Sequence, residues 1–239
     1  MTEDRPKVEE IVKKIKSRGY WEVTIRPLKF DEGRLETLND CAKFVQENKV
    51  RLRGWDYPHV SRKYGIKSGK DWVENLTDWD GYKEFWRMYQ SAQFSHLFGC
   101  REDWWGQVKI FWSQKSYTEP GYALSIMSTL YTFTEIYEFA TRLARKGLFD
   151  DFVKVSVALH GMKGRRLVTL GIRRSLDDNY ICDIEEIPLS RVVAISEIIG
   201  KSNEFAVDDT FRIFERFNWF GAPKKVLQEE QDNFLKGII

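Results

Sequence analysis

Four residues of one short segment set the fold problem. Val153, Val155, Val157 and Leu159 alternate without a break against Lys154, Ser156 and Ala158, a period of two that gives a strand one apolar face and one open face. Such a strand sits in an antiparallel sheet covered on one side. "GMKGRR", residues 161 to 166, supplies a turn, and residues 167 to 172 and 180 to 187 offer two more strands. Residues 153 to 186 are thus predicted to form a three-stranded antiparallel meander. "YWEVTIRP" repeats the pattern with Trp21, Val23 and Ile25 before Pro27 ends it.

The cover comes from helices. Leu130, Phe133, Tyr137, Ala140 and Leu143 face one way in a long helix over residues 122 to 146, closed by Lys146 and Gly147. Val8, Ile11, Val12 and Ile15 predict an N-terminal helix with Gly19 as its C-terminal cap. Leu35, Leu38, Ala42 and Val45 predict a second. Ser190 suits the cap of a helix from 191 to 199, and Asp208 or Asp209 the cap of a last one through Phe211, Phe214 and Phe217. Between Trp86 and Phe98 the period returns to two, as one long strand or two joined by a bend. Its apolar face carries Gln90 and His96, which need partners if buried. The fold class is α+β: antiparallel sheet packed against helices, with a C-terminal three-stranded meander. Residues 1–239 read as a single unit, and the loop 114–122 is the best place for a subdivision.

With 239 residues, 42% hydrophobic and 15% aromatic, the chain can bury a substantial core, which argues against disorder. Thirty-eight Lys and Arg against 36 Asp and Glu leave a net charge of only +2, so an argument for polyanion binding must be local. Cys41, Cys100 and Cys182 are far apart and form no CxxC pair, which suggests neither a disulfide framework nor a zinc ribbon and fits a reducing cytoplasm. No leader pattern opens the sequence and no apolar run reaches the ~20 residues that span a bilayer, so no membrane partner is expected.

Catalytic motifs are hard to find. "GIKSGKDW" has three residues between Gly65 and Gly69 where a phosphate-binding loop has four, and Asp71 where that loop has a hydroxyl; it reads as an exposed turn. His59, His96 and His160 have no metal-ligand spacing; His96 reads as a hydrogen-bonded core residue, and His160 ends a strand. Ser125 lacks a GxSxG elbow. Asp151 with Lys154, opposite Asp183 or Glu185, is the one arrangement that suggests a metal-dependent nuclease or other hydrolase. No catalytic residue, metal ligand or cofactor is assigned, and a non-catalytic role is favoured.

Local charge is more informative. Residues 51 to 70 carry Arg51, Arg53, Arg62, Lys63, Lys67 and Lys70 against the single acid Asp56, interleaved with Trp55, Tyr57, His59 and Tyr64. Cations that meet phosphates beside rings that stack on bases suit single-stranded or irregular nucleic acid. Lys163, Arg165, Arg166, Arg173 and Arg174 form a second basic stretch. The candidate contact residues are Arg51, Arg53, Trp55, Tyr57, His59, Arg62, Lys63, Lys163, Arg165 and Arg166. Acidic stretches follow both patches, at 71 to 80 and 176 to 190, so internal ion pairing is the competing expectation. "RLRGWDYPHV" itself is turn-competent through Gly54, Asp56 and Pro58. A plain turn needs neither its rings nor its arginines, and we read it as a structured recognition loop.

"GYWEVTIRP", "LRGWDYPH" and "FWRMYQSAQFSHLFGCREDW" resemble segments shared by a group of uncharacterised prokaryotic proteins, over roughly the first 105 residues. That resemblance implies a prokaryotic, intracellular origin and carries no catalytic residue. The basic and aromatic loop at 51 to 70, with the hairpin at 161 to 175, points to a non-catalytic binding module for nucleic acid or a nucleoprotein partner. The alternatives are a hydrolase using the C-terminal acids, and a protein-interaction subunit of a larger assembly, which the Trp and Tyr content would serve.

Overall fold

The computed structural model describes residues 5–107, 119–169, 176 and 180–238. Helix α1 (Val8–Lys16) leads into strand β1 (Tyr20–Pro27), and helix α2 (Leu38–Asn48) follows, with the Thr37 hydroxyl accepting the Asp40 N–H at its start. Four strands come next: β2 (Lys67–Ser68), β3 (Trp72–Trp79), β4 (Tyr82–Tyr89) and β5 (Phe94–Gly99), then a 3-10 helix, Arg101–Gln107. The C-terminal half holds β6 (Ala123–Ser125), α3 (Ile126–Arg145), β7 (Phe152–His160), β8 (Arg166–Val168), β9 (Glu186–Ala194), α4 (Ile195–Glu215) and α5 (Lys224–Leu235). The fold is α+β, as the periodicities predict.

Seven strands form one antiparallel sheet in the order β2-β3-β4-β5-β1-β7-β9. The N-terminal strand β1 lies between β5 and β7, so strands from both halves of the chain share one sheet. The alternation in β7 is realised in full: Val153, Val155, Val157 and Leu159 are buried, and Lys154, Ser156, Ala158 and His160 face outward. Helices cover the apolar face. Phe133 of α3 meets Trp21 edge-on with centroids 5.4 Å apart, and Phe139 meets Phe94 at 4.9 Å. The opposite face is covered at β3 to β5 by α1, whose Ile11 and Ile15 pack with Leu76 and Phe85.

The stretch 86 to 98 is two strands joined by a tight turn, in which Ala92 takes a φ of 62° and Tyr89 N–H donates to Gln93 O. Gln90 finds its partners in the carbonyls of Leu35 and Glu36. The C-terminal strands β7, β8 and β9 follow in order, with β9 paired directly to β7. Between them, β8 runs parallel to β6 and bridges to Ile181. Parts of the expected strand at 167 to 172, the arginines 173 and 174, and residues 114 to 118 of the expected boundary loop lie outside the described residues.

Two expected helices are corrected. Residues 191 to 194 continue β9, and the Ser190 hydroxyl lies across from that of Ser156 at 3.1 Å instead of capping a helix. β-branched Val192 and Val193 pair with β7 more readily than they start a helix. Asp208 and Asp209 lie inside α4, where buried Asp209 accepts hydrogen bonds from the Tyr137 hydroxyl and from Arg191 at 2.6 Å. Helix α5 was not anticipated; Gln231 ties it to Thr134 of α3. The three cysteines are free and buried, and among the described residues no helix is long and apolar enough to cross a membrane.

One buried ion pair joins four segments. Arg165, 1% exposed, donates to both carboxylate oxygens of Asp103, at 2.7 and 2.5 Å, and to the carbonyls of Ala123 and Gly161. Asp103 also accepts the backbone N–H of Gly19 and of Gly121. Gly19 is glycine because of this contact rather than as a helix cap, since a Cβ there would stand 2.0 Å from Arg165 Nη2. Arg165 is therefore committed inside the fold and is withdrawn from the nucleic-acid candidates. Removing one member of a buried pair strands the other charge. Arg165→Ala should lose about 3–5 kcal/mol in urea unfolding; a loss below about 1 kcal/mol would contradict this account of the pair.

Candidate functional site

The loop between α2 and β2 folds back on itself. Val50 and Tyr57 exchange both backbone hydrogen bonds, at 2.7 and 2.8 Å, and Gly54 at the tip has a φ of 75°, a left-handed conformation suited to glycine. Asp56 closes the neck by accepting from Lys49 at 2.5 Å and lying 3.3 Å from Arg51. The side chains beyond the neck are pinned one by one to the sheet and to α3.

Arg53 reaches into the interior, where it donates to Glu135 Oε2 at 2.6 Å and to the Thr132 hydroxyl at 3.1 Å. The Trp55 indole N–H donates to Glu84 Oε1 at 2.5 Å. Glu84 Oε2 lies 3.2 Å from His96 Nε2 and accepts the His59 N–H at 3.4 Å. The Trp86 indole N–H donates to the His59 carbonyl. Tyr57 is buried against His96, Phe98 and Phe139. Glu84 is thus the anchor that couples the loop to the sheet.

Above it stands a stack of rings. Trp55 lies 3.8 Å from Tyr82 and 3.9 Å from His59 between centroids, nearly parallel to both, and Trp79 stands beside the stack, 5.6 Å from Trp55 and 6.4 Å from Tyr82. Trp79 is 58% exposed. The exposed Arg101 guanidinium lies 5.1 Å from the Tyr82 ring centroid, and Arg51 is also exposed.

Below the stack is a cavity of about 50 Å³, walled by Trp55, Tyr57, Tyr82, Glu84, Phe98 and Glu135 among others. Its lining includes the charged side chains of Arg53, Glu84, Arg101 and Glu135. Burial pushes the Glu135 carboxyl up to about 7 against the pull of Arg53. Burial also raises Glu84, but the hydrogen bonds from His96 and Trp55 outweigh it and hold this carboxyl below its ordinary value. Burial lowers His59 and raises Tyr57 well above the usual phenol range. Four buried polar atoms here, Tyr57 Oη, His59 Nδ1, His96 Nδ1 and Glu135 Oε1, have no hydrogen-bond partner among the described residues.

The candidate contact residues therefore divide. Trp55, Tyr57, His59 and Arg53 converge on this site, Arg53 as an internal clamp rather than a surface cation. Arg51, Arg62 and Lys63 are exposed beside or beyond the loop, and Lys63 lies 5.1 Å from the Tyr64 ring centroid. Lys163 is exposed on the turn after β7, and half-buried Arg166 lies over the Tyr122 ring. The acids after the first patch are occupied from elsewhere: Glu74 by Arg5 and Arg87, and Asp78 by Lys14 and Lys83. They do not serve as the internal counterions expected for residues 51 to 70.

His96 is the hydrogen-bonded core histidine expected, whereas His160 stacks on Tyr20 at 4.3 Å, between Glu22 and Glu186, beside a separate open cavity of about 440 Å³. The nuclease arrangement does not assemble. Asp151 and Lys154 lie by the end of β7 that pairs with Ala194, while Glu185 bonds Met162 beyond the other end, a strand length of roughly 25–30 Å away. Among the described residues, no three His, Cys, Asp or Glu side chains group as metal ligands.

Sequence reading missed Trp79, Tyr82, Glu84, Arg101 and Glu135. Glu84 extends the even-numbered apolar face of Trp86 and Met88, which by period two marks a buried acid. No family model, curated protein or solved structure matches this chain.

Glu135 has a consequence for stability. An unfolded glutamate ionises near pH ~4.3, so between about 4.5 and 7 the native chain holds a proton that the unfolded chain has lost. Stability is fully present below that interval and falls as pH rises through it. Urea unfolding at about pH 5 and about pH 8 should show a drop on the order of a few kcal/mol in the wild type and a smaller one in Glu135→Gln. Equal drops would contradict the assignment.

Proposed function

We propose that the chain is a binding module for single-stranded nucleic acid, with the ring stack of Trp55, Tyr82 and Trp79 as its base-stacking platform. The observation that carries this reading is the combination of an exposed, nearly parallel tryptophan beside a fixed ring stack with the solvent-facing Arg101 over the Tyr82 ring. Aromatic faces accept any base, and cations along the path take the phosphates. Arg101 lies over a ring of the platform in the role first expected of Arg53, and exposed Arg51 sits by Asp56 at the neck of the loop that carries Trp55. The loop is a rigid support, because Arg53, Trp55, Tyr57 and His59 are each held from within.

Two substitutions separate ring from charge. Trp79→Ala should weaken binding of a fluorescent single strand by about 1–3 kcal/mol with little change in salt dependence. Arg101→Ala should weaken binding across sequences and flatten the salt slope by about one charge. Anisotropy titrations over a range of salt concentrations read both effects. A folded wild-type protein that binds no single strand at low salt would remove the reading.

A further inference from the structure

We propose that the open face of the sheet at β1, β7 and β9 docks against the same face of a second copy of this chain, an association that does not depend on the nucleic-acid reading. The other side of these strands is covered by helices, with Trp21 of β1 against Phe133 of α3. On the open side α1 packs against Leu76, Phe85 and Leu97 of β3 to β5 and meets Tyr20 at the start of β1. Beyond it the even-numbered side chains of β1, β7 and β9 face solvent wholly or in part. Apolar Phe152 and Val192 are 45% and 50% exposed there.

The charges of this face are sorted along the strands. Register sets Arg26 beside Lys154 at one end, whereas Glu22 and Glu186 lie on either side of His160 toward the other. A two-fold axis crossing the strands at the row Thr24, Ser156 and Ser190 lays one copy end for end over the other. Arg26 then stands opposite the second copy's Glu22, Val192 opposite its Pro188, and Phe152 opposite its His160 ring. A two-fold axis along β7 would instead set Lys154 against Lys154, so like charge excludes it. The free edge of β9 is a poorer place to pair. Ile195 N–H donates to Asp151 O, so in this register the even-numbered residues of β9 turn their backbone groups away from β7, and Pro188 among them has no N–H for a further strand.

Three strands about 4.8 Å apart, each of roughly eight residues at about 3.3 Å, make a face of about 14 by 26 Å. Two such faces bury roughly 700–1,000 Å², the low end for specific interfaces, so the dimer is weak and reversible. Docking leaves both ring stacks open, because Trp55 and Tyr82 share their cavity with Trp21 on the helix-covered side.

Sedimentation velocity of the full chain at low salt, from about 5 to about 500 μM, should show a monomer–dimer shift that weakens as salt rises. The double variant Arg26→Glu, Lys154→Glu should stay monomeric throughout, and so should Glu22→Lys, Glu186→Lys. An equimolar mixture of the two, in which each reversed end meets its opposite, should dimerise again in the wild-type range. Ser156→Arg, which sets one cation on the axis against its own copy, should raise the dimer dissociation constant about tenfold or more and serves if a reversed variant fails to fold. A wild type that remains monomeric at about 500 μM, or a dimer that persists in every variant, would overturn the proposal. Reversed variants that stay monomeric when mixed would overturn the charge pairing on which it stands.

Discussion

The pair Asp103–Arg165 is the constraint around which the chain closes. It gathers the turn into β1, the 3-10 helix after β5, the approach to β6 and the turn after β7. Isolated ions in such a place would be prohibitively costly, and the pair is tolerable because both carboxylate oxygens and much of the guanidinium are satisfied by hydrogen bonds. Gly161, which accepts from Arg165, has its own tight approach: a Cβ there would meet the Gly19 backbone at 3.1 Å. Two glycines and two charges thus set how closely the start of β1 and the end of β7 can lie side by side.

A second buried carboxylate performs the matching task at the loop. Glu84 sits on a central strand, yet its partners come from the loop and from β5, so the sheet and the loop cannot move apart without exposing a charge. Glu135 does the same from α3 through Arg53. The loop is therefore held on three sides by groups whose release is costly, and its ring stack inherits that rigidity. A preformed stack loses less conformational freedom on binding than a mobile loop would.

How much of this was legible varied with the chemistry of each element. The alternation in β7 and β1, and the apolar stripe of α3, follow from one face packing against one core, and the sequence records that directly. Strand β3 was hidden because Glu74, Asn75 and Thr77 are buried polar residues; Asn75 holds the loop carbonyls of Ser61 and Gly65 and so reads as a turn residue when seen alone. The end of β9 was mistaken for a helix because Ser190 is also a good cap, and only pairing with β7 decides between the two. At the site, Trp55, Tyr57, His59 and two arginines could be named from the decapeptide, whereas Trp79, Tyr82 and Arg101 come from other segments. Which arginine turns inward depended on Glu135, 82 positions away in sequence, and no local pattern encodes that.

The claim on which the functional account stands is that nucleic acid meets this protein at the ring stack. Photo-crosslinking of a single strand carrying 5-bromodeoxyuridine, followed by mass spectrometry of the crosslinked peptides, locates the contact directly. The account predicts crosslinks at Trp79, Tyr82 or Trp55. Crosslinks confined to other surfaces, such as the turn carrying Lys163, would contradict it.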